Sequence, residues 1–166
     1  MPNIELNKTT SANFELVFPV LPSETTLDAA DEFVLNISNT TIPATTLDEE
    51  EHRWQAFKTT VHQGGVTFDP LTVTFIVDAS YKNWKLLFEW LTYINNNYNK
   101  ADEEHAAYVI DTTLNIKDNF NTSVLSLSFV NMWVQSLGDV SISYREGEVV
   151  TECQATFRYD RYEIKE

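Results

Sequence analysis

The chain has 166 residues, of which 43% are hydrophobic and 13% aromatic, so it is long enough to bury a core and too apolar for the disordered class. Its 25 acidic and 11 basic residues give a net charge of −14, which excludes an electrostatic grip on nucleic-acid phosphates because that takes clustered lysine and arginine. The single cysteine, Cys153, excludes an intramolecular disulfide and is expected to be a small core residue of a reducing-compartment protein.

Alternation of apolar and polar residues predicts strands through most of the chain, because successive side chains of a strand point to opposite faces. In the first half it predicts the strands Asn13–Phe18, Glu32–Ser38 and Leu71–Val77. Residues 44–66, which contain the acidic run Asp48–Glu51, predict an extended arm or hairpin that turns at Gly64-Gly65.

The period changes directly after the strand Leu71–Val77. Apolar residues then recur at spacings of three and four from Tyr81 to Ile94, which predicts one amphipathic helix over residues 80–97. Ser80 or Asp78 is expected to cap its start. The apolar stripe is wider than a helix on one sheet needs, so we expect part of it to be covered by another chain.

The second half returns to strand periodicity. The predicted strands are Ala107–Lys117, Ser123–Val134, Asp139–Tyr144 and Val149–Tyr162. Such clean alternation indicates sheets with one dry and one wet face. The predicted fold class is therefore mainly β: two packed antiparallel sheets, as a β-sandwich or barrel-like unit, with one flanking α-helix. We expect residues 1–166 to form a single domain.

No catalytic signature is present in the chain. Phosphate-binding glycine loops, the G-x-S-x-G elbow and the H-E-x-x-H zinc helix are all missing from the sequence, so we expect no enzyme and no cofactor. The stretches Glu49–His52 and Asp102–His105 combine carboxylates with histidine, but adjacent loop residues seldom converge on one ion. We interpret both as solvated acidic segments and expect no metal. Aromatic side chains that stack on sugars leave a carbohydrate-binding β-sandwich module as the alternative function.

No segment predicts export or membrane insertion. The N-terminal residues lack a basic stretch followed by an apolar one, so no signal peptide is expected. No apolar run approaches the roughly 18 residues that a transmembrane helix requires.

Two stretches carry a resemblance to a known family. One is GGVTFDPLTVTFIVD, followed by YKNWKLLFEWL, and the other is FVNMWVQSLGDVSISYREGEVVTECQATFRYDRYEI. Together with the order of elements from FVLNISNTTIP onward, they resemble the tail tube proteins of contractile-tailed bacteriophages, including the ring proteins at the baseplate end of the tube. The resemblance spans nearly the whole chain and implies a tail-tube-like fold whose hexameric rings stack into a hollow tube.

The resemblance also implies a function and partners. It implies a structural virion protein of the tail, assembled in the host cytoplasm. Its partners would be other copies of itself, tail sheath proteins and baseplate proteins, and genomic DNA would pass through the tube during ejection without specific binding. Whether the chain is the repeating tube subunit, the tube-initiating ring at the baseplate or a terminator ring stays open.

Specific residues acquire candidate roles from the resemblance. The arm becomes an inter-subunit element, because buried aromatic side chains commonly anchor interfaces. Carboxylates on the wet face become candidates for the lumen, where like charge keeps DNA from sticking. The candidate arm contacts are Trp54, Phe57, Arg53 and His62, and the lumen candidates are Asp111, Glu152 and Asp160.

Overall fold

The computed structural model describes residues 13–18, 36–54, 57–97, 108–118, 120–143 and 150–165. These ranges contain nine strands and one complete α-helix. In chain order they are β1 (Phe14–Val17), β2 (Ile37–Thr40), β3 (Thr45–Trp54), β4 (Phe57–Phe68), β5 (Leu71–Ile76), α1 (Lys82–Asn97), β6 (Ile110–Lys117), β7 (Ser123–Leu137), β8 (Glu152–Arg158) and β9 (Arg161–Lys165). Most of the predicted strand Glu32–Ser38 lies outside the described residues.

Two antiparallel sheets share the long strand β7. The strand order is β1-β6-β7-β8-β5-β2, with β9 also paired to β7. The first part of β7, up to Val130, pairs with β9, and its last part, from Trp133, pairs with β8. Strands β8 and β9 therefore follow each other along one edge of β7, and β7 carries the chain from one sheet into the other. The predicted architecture of two antiparallel sheets with one helix is confirmed.

A hydrogen-bonded corner marks the point where β7 changes sheet. Asn131 has a φ of 54°, a left-handed conformation that asparagine tolerates better than most residues. Its backbone N–H donates to Asp111 Oδ1 at 3.0 Å, and its Nδ2 donates to Asp160 Oδ2 at 2.6 Å. The predicted strand Val149–Tyr162 is wrong in its continuity, because this corner divides it into β8 and β9.

The core lies between the dry faces of the sheets and α1. As the alternation predicts, Leu71, Val73 and Phe75 of β5 are fully buried. Burying a side chain of this kind contributes roughly 1.5–3 kcal/mol. Cys153 is buried beside them, which confirms its predicted place in the core, and burial raises the pKa of its thiol.

The helix α1 buries a face slightly rotated from the predicted one. Its deepest apolar side chains are Leu86, Leu87 and Trp90. Trp90 Nε1 donates to the carbonyl of Tyr108 at 2.9 Å, so the indole is satisfied inside the core. Phe88, which belongs to the apolar stripe predicted from Tyr81 to Ile94, is 49% exposed in the subunit. Within the described residues, no helix is long and apolar enough to span a membrane.

Two local predictions are wrong for identifiable reasons. The pair Gly64-Gly65 does not make the hairpin turn, since β4 runs through it; the glycines form a bulge opposite Asp48. Gly64 has a φ of 85°, a left-handed conformation that favours glycine, and Gly65 lies against the side chain of Asp48. In the predicted strand Asp139–Tyr144, residues 139–143 are irregular and pair with no described strand.

Asp78 caps α1, as predicted, and gives the fold a pH-dependent contact. Its Oδ2 accepts the backbone N–H of Asn83 at 2.9 Å, and its Oδ1 accepts the backbone N–H of Ser80 at 2.6 Å. Burial alone raises the pKa of this carboxyl, but the hydrogen bonds from Asn83, Ser80 and Lys82 together outweigh burial and lower the pKa below its ordinary value.

Replacing Asp78 with alanine is expected to lower the free energy of unfolding by about 1 kcal/mol at neutral pH, because the helix loses its cap. Since the folded pKa of Asp78 is depressed, its ionised form stabilises the fold above its unfolded pKa, near 3.8, and that stability is lost as the pH falls through the lowered folded pKa. Denaturant unfolding of both proteins from pH 7 to pH 2 measures this. A difference that stays constant down to pH 2 would contradict the assignment.

Candidate assembly surfaces

The hairpin β3–β4 projects from the sheets with its side chains in solvent. It forms a two-stranded sheet of its own that pairs with no other described strand. Every described side chain from Thr45 to Arg53 is exposed, and Phe57 near the tip is 78% exposed. A two-stranded hairpin by itself is at best marginally stable in water, so packing against another surface along its length would stabilise this one.

The root of the hairpin, by contrast, is fixed to the sheets. Thr45 Oγ1 and the Tyr162 hydroxyl lie 2.6 Å apart, and the rings of Phe68 and Tyr162 meet edge-on at 5.2 Å. The Tyr159 hydroxyl donates to the carbonyl of Asp69 at 2.6 Å. Burial, with smaller contributions from Tyr162 and Asp69, raises the pKa of Tyr159 and keeps it protonated as a donor. The root therefore sets the direction in which the hairpin points.

The pairing register assigns the predicted arm residues to two faces of the hairpin. Trp54 pairs with Phe57, and these two residues close the strands at the tip. Arg53 and His62 belong to the opposite face, which is mostly charged. That face carries the cross-strand pairs Glu49–His62, Glu51–Thr60 and Arg53–Lys58. Lys58 Nζ lies 2.6 Å from Glu51 Oε1 within it.

The wet face of the two sheets is nearly balanced in charge. Among the described strands and their corner it carries the carboxylates of Glu15, Asp111, Glu152, Asp160 and Glu163 and the basic groups of Lys117, Arg158, Arg161 and Lys165. Lys117 pairs with Glu15 and Arg161 with Glu163, each at 2.7 Å. The pKa of Arg161 is raised mainly by its hydrogen bond to Glu163, and then by the negative charges of Glu163, Asp160 and Asp111. Most of the net charge of −14 therefore lies elsewhere.

The three predicted lumen residues fall at two places on this face. Asp111 and Asp160 both accept hydrogen bonds from Asn131 at the corner. Glu152 lies at the start of β8, opposite Ile76 of β5, and is exposed. The structure thus brings the first two together and leaves the third apart.

Several strand edges are open. Within the described residues, β1 pairs only with β6, β2 only with β5, and β9 only with β7. Unpaired edges of this kind are templates for pairing with another chain. The molecule thus offers a projecting hairpin, open sheet edges and a polar face.

Comparisons with known proteins identify the family of the chain that carries these surfaces. The family model for phage tail tube proteins matches residues 8–165, which is nearly the whole chain. The chain belongs to the phage tail tube protein family. The match confirms the family that the sequence resembles. The chain is therefore a structural protein of the tail, of the tube or tube-terminator kind.

One curated relative of this tail tube protein matches over part of its length. The tail tube terminator protein of Enterobacteria phage T4 is 37% identical over 108 residues, which are 61% of this chain and 60% of that protein. The matched region thus spans about three fifths of the relative.

Solved structures of contractile injection systems share the tail tube fold. A chain of the PVC sheath–tube complex in its extended state aligns with a TM-score of 0.66 at 15% identity, over 98% of this chain and 93% of the other. A chain of the tube-terminating cap of the anti-feeding prophage aligns with a TM-score of 0.62 at 16% identity, over 95% and 91%. At these identities the likeness concerns the fold.

Of the two acidic–histidine stretches, Glu49–His52 lies within the described residues, and its side chains do not converge on one point. In Glu49–His52, consecutive residues point to alternate faces of β3, and His52 Nε2 lies 3.6 Å from Glu50 Oε2. The described ranges hold no group of three histidine, cysteine or acidic side chains that could bind a metal ion. The stretch Asp102–His105 lies outside them.

The carbohydrate-binding alternative loses its best platform. Trp90 is fully buried and packs against Phe157, with 6.0 Å between ring centroids. Trp84 stacks on Phe88 at 5.3 Å instead of presenting an open face. The family match supplies no support for sugar binding.

Sequence reasoning missed part of the apolar surface of the hairpin. Leu47 and Val66 lie directly opposite each other, and each is 51% exposed. Both were overlooked because the bulge at Gly64-Gly65 shifts the register between them and the tip, so no single alternation links them to Phe57. The only available signal was two isolated apolar residues flanking polar runs.

Proposed function

We propose that six copies of this tail tube family member close a ring with a central channel, and that the ring lies at an end of the tail tube. The observation that carries the proposal is the hairpin β3–β4, which is rooted firmly in the sheets and yet exposed along its length. A free subunit gains nothing from holding Phe57 in water, whereas an assembled ring can bury it.

The terminal position is favoured over the repeating one. The name of the T4 relative, tail tube terminator, supports a ring that ends the tube, and a structural relative forms a tube-terminating cap. Chains of a sheath–tube complex and of a baseplate share the fold about as well as the cap chain does, so the choice of the terminal position rests on the T4 relative. Sheath proteins would contact the outside of the ring, and assembly would take place in the host cytoplasm, where the free thiol of Cys153 stays reduced.

The wet face of the sheets would line the channel, with Asp111, Glu152 and Asp160 among its residues. Its near balance of carboxylates and basic groups among the described residues differs from the like-charged lining that the sequence led us to expect. Such a lining gives passing DNA neither a basic track to bind nor a strongly repulsive wall. In this proposal genomic DNA slides through because this face, as far as the structure describes it, holds no cluster of unpaired cations.

Electron microscopy of the purified protein tests the proposal. The expected images show rings with six-fold symmetry, a central hole and little stacking. Monomers that persist at high protein concentration would refute the ring. Long tubes made of this protein alone would keep the ring but assign it to the repeating part of the tube.

A further inference from the structure

Two tyrosines hold the root of the hairpin β3–β4 against the sheets, and both belong to one short turn. Tyr159 follows the end of β8, and Tyr162 lies at the start of β9. The Tyr159 hydroxyl donates to the carbonyl of Asp69 at 2.6 Å, where the chain leaves β4. Where the chain enters β3, the Tyr162 hydroxyl donates to the Pro43 carbonyl at 3.4 Å and lies 2.6 Å from Thr45 Oγ1. Each strand of the hairpin is therefore tied to this turn at its base.

Asp160, between the two tyrosines, bonds the same turn to the corner of β7. Its backbone N–H donates to the carbonyl of Val130 at 3.0 Å. In the other direction, Asn131 Nδ2 donates to Asp160 Oδ2 at 2.6 Å, and a hydrogen bond to a charged acceptor is stronger than one between neutral groups. The backbone N–H of Asn131 donates to Asp111 Oδ1 at 3.0 Å, which extends this set of contacts to β6.

Packed aromatic rings join the contacts at the root to those at the corner. The Phe68 ring, at the end of β4, meets the rings of Tyr159 and Tyr162 at centroid distances of 6.2 and 5.2 Å. The fully buried Phe129, two residues before Asn131 in β7, lies 4.9 and 5.7 Å from the same two tyrosine rings. Closely packed rings cannot tilt independently of one another, so a shift of the hairpin root moves the turn.

The length of the hairpin amplifies small movements of its root. Its strand β3 has 10 residues, so the hairpin extends roughly 30 Å from the sheets. A small tilt at the root therefore displaces the tip by several ångströms. Conversely, a contact that holds the exposed tip in place restricts the tilt of the root, and with it the position of the turn.

We propose that the turn Tyr159–Tyr162 couples the direction of the hairpin β3–β4 to the corner at which β7 passes from one sheet to the other. The corner has two states, closed with both hydrogen bonds of Asn131 made and open with them broken. Holding the hairpin root in place favours the closed state. Because a coupling free energy is reciprocal, a closed corner also holds the hairpin in its projecting direction. This coupling belongs to the folded subunit and goes beyond the proposed ring, since it holds whether or not six copies close one.

Residue-resolved hydrogen–deuterium exchange of the purified protein tests the coupling from the side of the hairpin. Tyr162→Phe keeps the ring but removes the hydroxyl that contacts Pro43 and Thr45. The backbone N–H of Asn131, which is bonded to Asp111 and not to this hydroxyl, is expected to exchange roughly fivefold faster or more. A coupling worth one ordinary hydrogen bond changes an opening equilibrium by about that factor.

The matched control is Tyr81→Phe, which removes the hydroxyl of a residue that is 40% exposed between β5 and α1. It should leave exchange at Asn131 unchanged. The amides of β5 report global unfolding and should exchange equally in all three proteins. An Asn131 rate that is the same in Tyr162→Phe as in the unchanged protein would overturn the inference. An equal acceleration of the β5 amides would overturn it too, because it would show a general loss of stability.

The reciprocal measurement starts at the corner. Asp160→Ala removes the acceptor of Asn131 Nδ2. Exchange of the Asp69 N–H, which donates to the Ala44 carbonyl at 3.0 Å at the hairpin root, is expected to accelerate by a similar factor. Asp139→Ala, which removes an exposed carboxylate outside the strands, should not change it. An unchanged Asp69 rate in Asp160→Ala would refute the coupling. A protein that responds in both directions but forms no rings would sustain the coupling, and it is then the proposed function that fails.

Discussion

Replacing Trp90 with alanine is expected to lower the free energy of unfolding by about 3–5 kcal/mol, the range for deleting a large aromatic side chain from a core. Trp90 is fully buried, lies against Phe157 and donates its indole N–H to the Tyr108 carbonyl. The substitution therefore leaves a cavity and removes the donor for a carbonyl. Because native domains are stable by only about 5–15 kcal/mol, the variant should be partly unfolded near 37 °C.

The matched control lies on the same helix. Phe88→Ala removes an aromatic side chain of similar size that is 49% exposed, and it should cost roughly 1 kcal/mol or less. Chemical denaturation followed by tryptophan fluorescence and by circular dichroism measures both. Similar losses for the two variants would contradict the placement of Trp90 as the centre of the helix–sheet contact.

Removing the aromatic tip of the hairpin is expected to have the opposite profile, with a large effect on assembly and little on folding. Phe57→Ala should change the free energy of unfolding by no more than about 0.5 kcal/mol because Phe57 is exposed in the subunit. A second variant adds Trp54→Ala and extends the loss to its cross-strand neighbour. If Phe57 is an anchor of the assembly contact, its loss should weaken that contact by about 2 kcal/mol or more, roughly 30-fold in affinity.

Quantitative incorporation into tails, measured beside a denaturation curve, separates these two effects. Phe120→Ala removes an equally exposed phenylalanine from another turn and should leave both measurements unchanged. Normal incorporation of the Phe57 variants would refute the role of the hairpin. A large loss of stability would show that the tip belongs to the subunit's own core.

The elements predicted best from sequence are those whose own period sets their environment. In β5 the alternation of Leu71, Val73 and Phe75 places three side chains in the core, because a strand has only two faces and apolar residues occupy the dry one. The helix was predictable for the same reason, because its apolar residues recur at the helical spacing of three and four. Its exact face was not, since rotation about the helix axis depends on the sheet against which it packs.

The failures share a different cause: they depend on a partner that local sequence does not reveal. Val140 and Ile142 alternate as a strand should, yet Ile142 is 81% exposed and no described strand lies beside it. The double glycine at 64–65 is a typical turn signal, and only the register with Asp48 shows that it is a bulge. The position of the hairpin surface could be predicted from the acidic arm. Which of its side chains share a face could not, because that depends on the pairing register of β3 and β4.

The strand β7 has a consequence for how the molecule reaches its native state. Because one continuous strand belongs to both sheets, neither sheet can open without disturbing the other, so we expect the domain to unfold as a single cooperative unit. Some paired strands are far apart in the sequence: β5 at Leu71–Ile76 pairs with β8 at Glu152–Arg158. Such long-range pairing makes folding slow and leaves strand edges exposed meanwhile. A subunit that folds slowly and keeps open strand edges is prone to pair with the wrong chain. Assembly into the tail would cover these edges.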